Sequence, residues 1–293
     1  MVSFLSSPFS TSEVGATNAP ELWQAAFPWP RSDGHKHTRG RALIAGGAVM
    51  TGAARLAARA ALRMGAGLVT VASPPEAFTV YATALESVMV RPCATLAAWK
   101  ALIEDSRASA LLIGPGLGQG DETEGRVCAA LASGRPCVVD ADALTAFAAI
   151  PEVLLAALNP ACVLTPHEGE FARLFGKGLA LQAPKAERAL RAAQQAGCVV
   201  VLKGSPTLIA TPEGWLTATT NGPPDLATAG SGDVLAGMIL GLLASGMPVF
   251  EAANAAVWLH GEVACAFGPG LIAEDLVAGI PAALQALKEG AWS

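Results

Sequence analysis

Residues 41–71, RALIAGGAVMTGAARLAARAALRMGAGLVTV, contain one complete unit of the fold that the sequence predicts. The apolar stretch 41–47 ends in two glycines, which is typical of a strand that runs into a tight turn. Alanine and leucine then recur at helical spacing over 51–67, and a second apolar run begins at residue 68. The pattern predicts a strand–helix–strand unit whose two strands lie parallel in one sheet.

The same alternation recurs along the rest of the chain. Further strands are predicted within ASALLIGPGLG (108–118), PCVVDADAL (136–144), ACVLTPHEGEF (161–171) and CVVVLKGSPTLIAT (198–211). A hairpin is expected around residues 212–214, and residues 231–287 are predicted to be nearly all helix. We therefore expect an α/β domain over residues 31–293, with a central, mostly parallel sheet flanked by helices on both faces. Residues 1–30, rich in Ser, Pro and Thr, are expected to form a loosely ordered arm.

Composition excludes several classes of protein. The net charge of −5 argues against a nucleic-acid binder, which would present a basic face. Six scattered cysteines without a CxxC pair favour reduced core thiols, with a metal site or disulfides as the alternatives.

The N-terminus lacks the features of a secretory signal. Val234–Phe250 is uncharged but is interrupted by glycine, so it predicts a buried helix with a close-packing face of Gly237 and Gly241 rather than a membrane span. A cytoplasmic location is expected.

Polar residues are concentrated where the predicted strands end. These loops contain Gly46–Gly47, Gly114–Gly118, Asp140–Asp142, His167–Glu170 and Lys203–Ser205. In a parallel sheet, ligands bind outside the carboxyl ends of the strands. The coincidence of five such loops predicts a ligand site at that edge of the sheet.

The stretch ATAGSGDVLAG, residues 227–237, predicts an anion site at the start of a helix. Glycines at 230 and 232 allow consecutive backbone N–H groups to face one point, where the helix dipole favours negative charge. Asp233 at the edge of this site has two interpretations. It is either a cap or first-turn acid of the helix, or a general base that takes a proton from an attacking hydroxyl while the amides hold a phosphoryl group.

The chain resembles the ADP-dependent NAD(P)H-hydrate dehydratases of the ribokinase-like superfamily over about residues 35–285. The resemblance rests on motifs that occur in the family's order: HKHTRGRALIAGGAVMTGAARLAARAALRMGAGLVTV, LLIGPGLG, VVDADAL, LTPHEGEFARL, VVLKGSPTLIATPEG and LATAGSGDVLAG. It implies a ribokinase-like fold. It also implies repair of the S-epimer of hydrated NADH or NADPH: ADP phosphorylates the C6 hydroxyl, phosphate leaves, and AMP is the other product. Mg²⁺, a homotetramer and a separate NAD(P)H-hydrate epimerase acting upstream are expected with this activity.

The resemblance also implies roles for individual residues. Asp233 corresponds to the base and contacts the hydrate, and Glu170 matches the acid of the histidine loop. Asp140 and Asp142 face the same cleft, Asp142 either as a helix cap or as a ligand contact, and no dedicated protein cage for a metal is predicted. The remaining positions fall into three groups: the phosphoryl site (Gly230, Ser231, Gly232), the adenine-nucleotide site (Lys203, Gly204, Ser205, Pro206, Thr207) and the hydrate site (Ala53, Gly116, His167).

Two segments depart from the family pattern. Glu168 stands where the family usually has a proline, which predicts a looser histidine loop. Pro223 and Asp225 replace an asparagine and a glycine of the family, so nucleotide affinity or the choice of cosubstrate is expected to differ. The same motifs are compatible with two alternative functions: a kinase of a small alcohol such as a thiazole or pyrimidine vitamin precursor, and a nucleotide sensor without catalysis.

Overall fold

The computed structural model describes residues 16–104, 107–176 and 181–291. Ten strands of this part of the chain form one sheet. They are β1 (Ala16–Thr17), β2 (Arg41–Ala45), β3 (Leu68–Ser73), β4 (Met89–Pro92), β5 (Ala110–Ile113), β6 (Cys137–Val139), β7 (Cys162–Leu164), β8 (Val199–Leu202), β9 (Thr207–Ala210) and β10 (Leu216–Thr219).

The order across the sheet is β1-β10-β9-β8-β7-β6-β5-β2-β3-β4. β9 is antiparallel to both of its neighbours, and the other neighbouring pairs are parallel. The predicted mostly parallel sheet is confirmed, and the predicted hairpin is the pair β9 and β10. β1 and β4, at the two edges, were not predicted, since both are short.

Helices cover both faces of this sheet. Those of the described residues are α1 (Thr51–Arg63), α2 (Phe78–Ala84), α3 (Leu96–Glu104), α4 (Asp121–Ala132), α5 (Asp142–Thr145), α6 (Pro151–Ala157), α7 (Glu168–Phe175), α8 (Lys185–Ala196), α9 (Ser231–Ala244), α10 (Val249–Phe267) and α11 (Ala273–Glu289). α1, α2, α9, α10 and α11 pack on one face, and α3 to α8 pack on the other.

The central strands are apolar throughout because both of their faces are buried. In β2, Ala42 and Ile44 belong to the core beneath α1 and α9, whereas Leu43 and Ala45 belong to the opposite core. All four are 0–3% exposed. Alternate residues therefore serve two separate hydrophobic cores, which is why the strands read as continuous apolar runs.

Two glycines let α9 lie directly against α1. A Cβ atom built on Gly237 would lie 2.3 Å from the carbonyl oxygen of Ala57, and one on Gly241 would lie 2.5 Å from that of Ala61. Any side chain at these two positions would separate the helices, so the predicted close-packing face is confirmed. The apolar run continues past the end of α9 at Ala244 through a turn into α10. In the described part of the chain, no helix is long and apolar enough to cross a membrane.

The prediction of a loosely ordered arm is wrong for residues 16–27. β1 adds a parallel strand to β10, and Trp23 is 1% exposed. The Trp23 ring lies 5.7 Å from the ring of Trp258, and its Nε1 donates to Asn18 Oδ1 over 3.1 Å. The burial of this one large side chain outweighs the effect of a Ser- and Pro-rich composition. Local sequence patterns do not reveal such burial. Residues 1–15 of the predicted arm lie outside the described residues.

The cysteines are free thiols. Cys137 and Cys162 are register partners on β6 and β7, Cys198 lies just before β8, and all three are buried. Burial raises the pKa of each of these thiols. Cys93 is also buried, whereas Cys128 is partly exposed and Cys265 is exposed. Four of the six cysteines, Cys93, Cys137, Cys162 and Cys198, therefore lie in the core, as predicted.

Candidate active site

The five polar loops meet at one edge of the sheet, as predicted. They follow β8, β7, β6, β5 and β2, which are consecutive neighbours and are all parallel. Each loop therefore leaves the sheet in the same direction, and their side chains and backbone groups share one cleft. The N-termini of α1, α7 and α9 begin at this edge.

Lys203, directly after β8, is surrounded by acidic groups. Its Nζ lies 3.0 Å from Asp140 Oδ1 and 3.9 Å from Glu170 Oε2. Asp140 is 2% exposed and also accepts a 2.7 Å hydrogen bond from Thr165 Oγ1. Burial by itself would lower the pKa of Lys203, but the Asp140 and Glu170 carboxylates outweigh it and hold that pKa above its ordinary value. The ammonium group therefore stays charged at the floor of the cleft.

The backbone at Ala141 directs the two neighbouring aspartates to different partners. Ala141 has a φ of +50°, a conformation that costs a non-glycine residue about 1–3 kcal/mol. Asp140 bonds to Lys203, whereas Asp142 Oδ2 accepts a 2.8 Å hydrogen bond from Gly118 N. Asp142 thus braces the glycine loop after β5 rather than capping α5, for which no side-chain cap bond is present among the described residues.

The first turn of α9 leaves its backbone N–H groups without a side-chain cap in the described structure. Gly230 precedes it with a φ of +86°, and a Cβ there would lie 2.8 Å from Leu56 Cδ1 of α1. A Cβ on Gly232 would lie 3.4 Å from Lys203 Nζ. Ser231 N donates only a long hydrogen bond (3.4 Å) to the carbonyl oxygen of Thr228. Amides without a side-chain cap at a helix N-terminus and an ammonium beside them are suited to an anion such as a phosphoryl group.

Asp233 lies in the same first turn, and its pKa is raised to about 7. Burial is the largest cause, the Asp140 carboxylate adds to it, and Lys203 opposes it. Among the described residues, the cap position of this helix is Gly230, and no side-chain cap bond is present there. A carboxylate with a pKa near neutral is well matched to general-base catalysis. That Asp233 is the base remains a prediction.

His167 caps α7, the helix after β7. Its Nδ1 accepts hydrogen bonds from Gly169 N (2.9 Å) and Glu170 N (3.4 Å), while Glu170 Oε2 accepts from His167 N over 2.8 Å. Its Nε2 lies 3.3 Å from Glu170 Oε1. The His167 side chain is 53% exposed, so the capping role leaves part of the ring open to the cleft. That His167 contacts a hydrate remains a prediction.

Glu168, the departure from the family's proline, is held by an ion pair. Its carboxylate accepts from both terminal nitrogens of Arg188 on α8, at 2.6 and 3.1 Å. The hydrogen bonds from Arg188 lower the pKa of Glu168. The loop is thus tied to α8 by side chains at the position where a proline would stiffen the backbone.

The loop of residues 203–207 is tied down by its own groups and by Lys185. Lys185 Nζ donates to the carbonyl oxygens of Pro206 (2.6 Å) and Lys203 (3.3 Å). Thr207 Oγ1 donates to the carbonyl oxygen of Gly204 over 2.8 Å. Gly204 N donates to the same hydroxyl over 3.3 Å, and both Gly204 and Ser205 are exposed at the mouth of the cleft.

The predicted hydrate contacts lie where α1 meets the glycine loop after β5. Gly116 has a φ of +71°, and a Cβ there would lie 2.5 Å from the carbonyl oxygen of Met50, just before α1. Ala53, in the first turn of α1, is 7% exposed. Val49 and Met50, in the loop between β2 and α1, are 91% and 64% exposed. The structure thus brings Ala53 and Gly116 to one side of the cleft.

The remaining asparagine of the segment with the second departure is bonded to α10. Asn221 Nδ2 donates to the carbonyl oxygen of Trp258 (3.0 Å) and to Glu262 Oε1 (2.7 Å), both on α10. The family's asparagine corresponds to Pro223 of this chain. Asn221 is held by α10 and therefore does not replace that asparagine in the predicted nucleotide site.

Three residues of the site were missed by reasoning from the sequence. Lys185 and Thr165 act through contacts with distant elements, and no local pattern indicates such contacts. His260, which contacts Ser231, could have been noticed in the sequence because it is the only histidine in the otherwise largely apolar helix α10.

Comparison with known proteins gives the context of this site. The model of the NAD(P)H-hydrate dehydratase family (Carb_kinase) matches residues 42–275. The ADP-dependent (S)-NAD(P)H-hydrate dehydratase of Neisseria meningitidis is 36% identical over 269 residues, which are 87% of this chain and 88% of that protein. The bifunctional NAD(P)H-hydrate repair enzyme of Moorella thermoacetica is 39% identical over 91% of this chain, which spans 53% of that protein.

A solved structure agrees with the sequence comparisons. The ADP/ATP-dependent NAD(P)H-hydrate dehydratase of Bacillus subtilis, co-crystallised with ATP and Mg²⁺, superposes with a TM-score of 0.81. Its sequence is 31% identical, and the match covers 93% of this chain and 99% of that one. The predicted ribokinase-like fold and the predicted family are confirmed. The chain belongs to the NAD(P)H-hydrate dehydratase family.

Proposed function

We propose that this protein catalyses the ADP-dependent dehydration of the S-epimer of hydrated NADH or NADPH. One observation supports this most strongly. An acid with a pKa of about 7, Asp233, shares the first turn of α9 with uncapped amides and lies beside the ammonium of Lys203. A binding site for a phosphoryl group and a proton acceptor are thus adjacent, as transfer of phosphate to a hydroxyl requires.

The first step transfers the terminal phosphoryl group of ADP to the C6 hydroxyl of the hydrated ring. Asp233 takes the hydroxyl proton as the new oxygen–phosphorus bond forms, and AMP departs with the electrons of the broken bond. The amides of Gly230, Ser231 and Gly232 bind the transferred group, and Lys203 offsets its negative charge. Residues 203–207 border the nucleotide.

The second step expels the phosphate. Hydroxide is a poor leaving group and phosphate is a good one, so phosphorylation activates C6. The lone pair of the ring nitrogen moves toward C6 as the carbon–oxygen bond breaks. Loss of a proton from the neighbouring C5 then restores the ring double bond, which gives NADH or NADPH, AMP and phosphate. Ala53, Gly116 and His167 are the proposed contacts of the hydrated dinucleotide.

The donor groups of the cleft fit Mg²⁺ bound together with the nucleotide. Magnesium prefers carboxylate and phosphate oxygens and is held by few protein groups at phosphoryl-transfer sites. Glu170, whose Oε2 lies 3.9 Å from Lys203 Nζ, is the carboxylate that such an ion would meet, whereas Asp140 is 2% exposed and is bonded to Lys203 and Thr165. The ion would supply charge neutralisation at the phosphates when bound.

The partners and the assembly remain proposals from the family. The chain spans about half the length of the bifunctional repair enzymes that it matches. We propose that a separate epimerase converts the other epimer of the hydrate for this enzyme. A homotetramer and a cytoplasmic location are likewise predictions that the structure leaves untested.

The test is incubation with hydrated NADH and either ADP or ATP, following recovery of the near-ultraviolet absorbance of NADH. Recovery with ADP, accompanied by equal amounts of AMP and phosphate, supports the proposal. Binding of nucleotide and hydrate without turnover would instead indicate the sensor. Phosphorylation of a thiazole or pyrimidine alcohol without recovery of NADH would indicate the vitamin-precursor kinase.

A further inference from the structure

A buried histidine lies directly behind the first turn of α9. His260, on α10, is 6% exposed, and its Nε2 lies 3.1 Å from the carbonyl oxygen of Ser231 and 3.3 Å from Ser231 Oγ. Ser231 is 5% exposed and is the first residue of α9. The reaction steps proposed above make no use of either side chain.

These distances indicate which ring nitrogen of His260 carries the hydrogen. A carbonyl oxygen only accepts hydrogen bonds, so the 3.1 Å contact is favourable when Nε2 bears the hydrogen. Ser231 Oγ then accepts from the same N–H group, and the hydroxyl keeps its own hydrogen for another acceptor. In the other tautomer, Nε2 would repel the carbonyl oxygen and would consume the hydroxyl hydrogen as an acceptor.

The surroundings of His260 keep its ring neutral. Burial lowers the pKa of His260 to about 4, and the nearby positive charge of Lys203 acts in the same direction. The hydrogen bond to the Ser231 carbonyl opposes this shift without cancelling it. The ring therefore presents a single N–H group toward Ser231 at neutral pH.

We infer that His260 is a positioning residue that holds the Ser231 hydroxyl as a hydrogen-bond donor toward the transferred phosphoryl group. This inference rests on the proposed function, since the acceptor of that hydroxyl is the phosphoryl group. The backbone amides of the turn and the Ser231 hydroxyl would then face the same anion, and His260 would act only through Ser231.

The first test compares His260→Phe, which removes the N–H group but keeps a ring, with His260→Gln, whose side-chain amide can still donate. We expect His260→Phe to lower kcat about tenfold, the value of one hydrogen bond in the transition state, with a smaller change in KM for the hydrate. His260→Gln should recover most of that loss. A kcat for His260→Phe equal to that of the wild type would overturn the inference.

The second test asks whether His260 acts through the hydroxyl. If it does, Ser231→Ala combined with His260→Phe is no slower than Ser231→Ala alone. If the double variant instead loses kcat by the product of the two single-variant factors, His260 acts by another route. Asn254→Ala is the matched control: it breaks a buried α10 bond to Thr217 Oγ1 (2.6 Å) and should lower Tm while kcat stays unchanged.

A third measurement does not depend on turnover. The ¹⁵N chemical shifts of the His260 ring identify its tautomer, and hydrogen on Nδ1 instead of Nε2 would refute the geometry. The proposed function and the proposed role of His260 are refuted by different results. Wild-type protein that does not dehydrate the hydrate with ADP would refute the proposed function. Active wild type with an equally active His260→Phe variant would refute only the role of His260.

Discussion

Two helices, α7 and α9, begin at the same edge of the sheet but treat their first backbone N–H groups differently. In α7, His167 and Glu170 form a reciprocal capping box, so the side chain of His167 satisfies the amides of residues 169 and 170. In α9, a glycine in the left-handed conformation precedes the helix, and the described structure shows no side-chain cap. One start is closed by its own side chains, and the other is open.

The difference separates structural stability from ligand binding. A capped N-terminus contributes about 1 kcal/mol to stability but leaves fewer donors for a ligand. The open N-terminus of α9 forgoes that contribution and keeps its amides for an anion. The acid of the α7 start, Glu170, is engaged with its own helix, whereas Asp233 of α9 has a pKa raised to about 7. Substitutions at the two starts should therefore have very different effects.

The largest effect is expected at the open start. Asp233→Asn removes the proposed base but keeps the shape of the side chain, so kcat should fall by at least about 100-fold while ADP still binds. In the wild type, kcat should also fall as the pH drops through about 7, because Asp233 becomes protonated. Steady-state kinetics over a pH series and calorimetric titration with ADP measure the two quantities. Turnover near the wild-type rate would mean that the carboxylate is not the base.

Stability against pH checks that Asp233→Asn acts on chemistry rather than on folding. The folded-state pKa of Asp233 lies above its ordinary value of 3.8, so the folded protein holds this proton more tightly than the unfolded chain does. The wild type therefore loses stability as the pH rises from about 4 to about 7, and the asparagine variant lacks that loss. We expect the variant to have the higher Tm at pH 8 and no such advantage at pH 4.

A smaller effect is expected at the cation that lies between the two starts. Lys203→Met removes the ammonium and keeps the stem, so ADP should bind about tenfold more weakly, while affinity for the hydrate changes less. Because Lys203 lowers the pKa of Asp233, its loss should also move the acid limb of the pH profile to higher pH. A larger loss of affinity for the hydrate than for ADP would mean that the two ligands occupy exchanged positions.

The control for this variant restores the balance of charge. Lys203→Met leaves the buried Asp140 carboxylate without its ammonium partner, so Tm should fall. Adding Asp140→Asn removes the unpaired charge and should restore much of Tm without restoring the affinity for ADP. Recovery of both would show that the weaker binding came from loss of folding.

The fold was predictable because its determinants are local. The apolar runs, the glycine turns and the helical spacing of alanines in 51–67 each act over a few residues, and the parallel sheet follows from their alternation. The close-packing face of Gly237 and Gly241 was also predictable, since two glycines four residues apart on an apolar helix leave a groove. The buried Trp23 was not, because its partner Trp258 is far away along the chain.

The candidate site was predictable in its residues but not in its charge balance. The sequence indicated Asp233, Lys203 and Asp140 as parts of one cleft. It gave no sign that Asp140 would bond directly to Lys203 at 3.0 Å, or that burial beside Asp140 would raise the pKa of Asp233. These properties arise from distances between separate strands, and local patterns do not record such distances.

The smallest effect is expected at the capped start, from Glu168→Pro. The substitution restores the proline of the family and removes the ion pair with Arg188, which is partly exposed and therefore weak. Proline suits the first position of a helix, and His167 before it already has an extended backbone, with φ −80° and ψ 171°. We expect kcat within about twofold of the wild type and a change in Tm within about 4 °C, by kinetics and calorimetry. A large fall in kcat would show that the tie between Glu168 and Arg188 positions His167 for the substrate, and that the capped start serves catalysis after all.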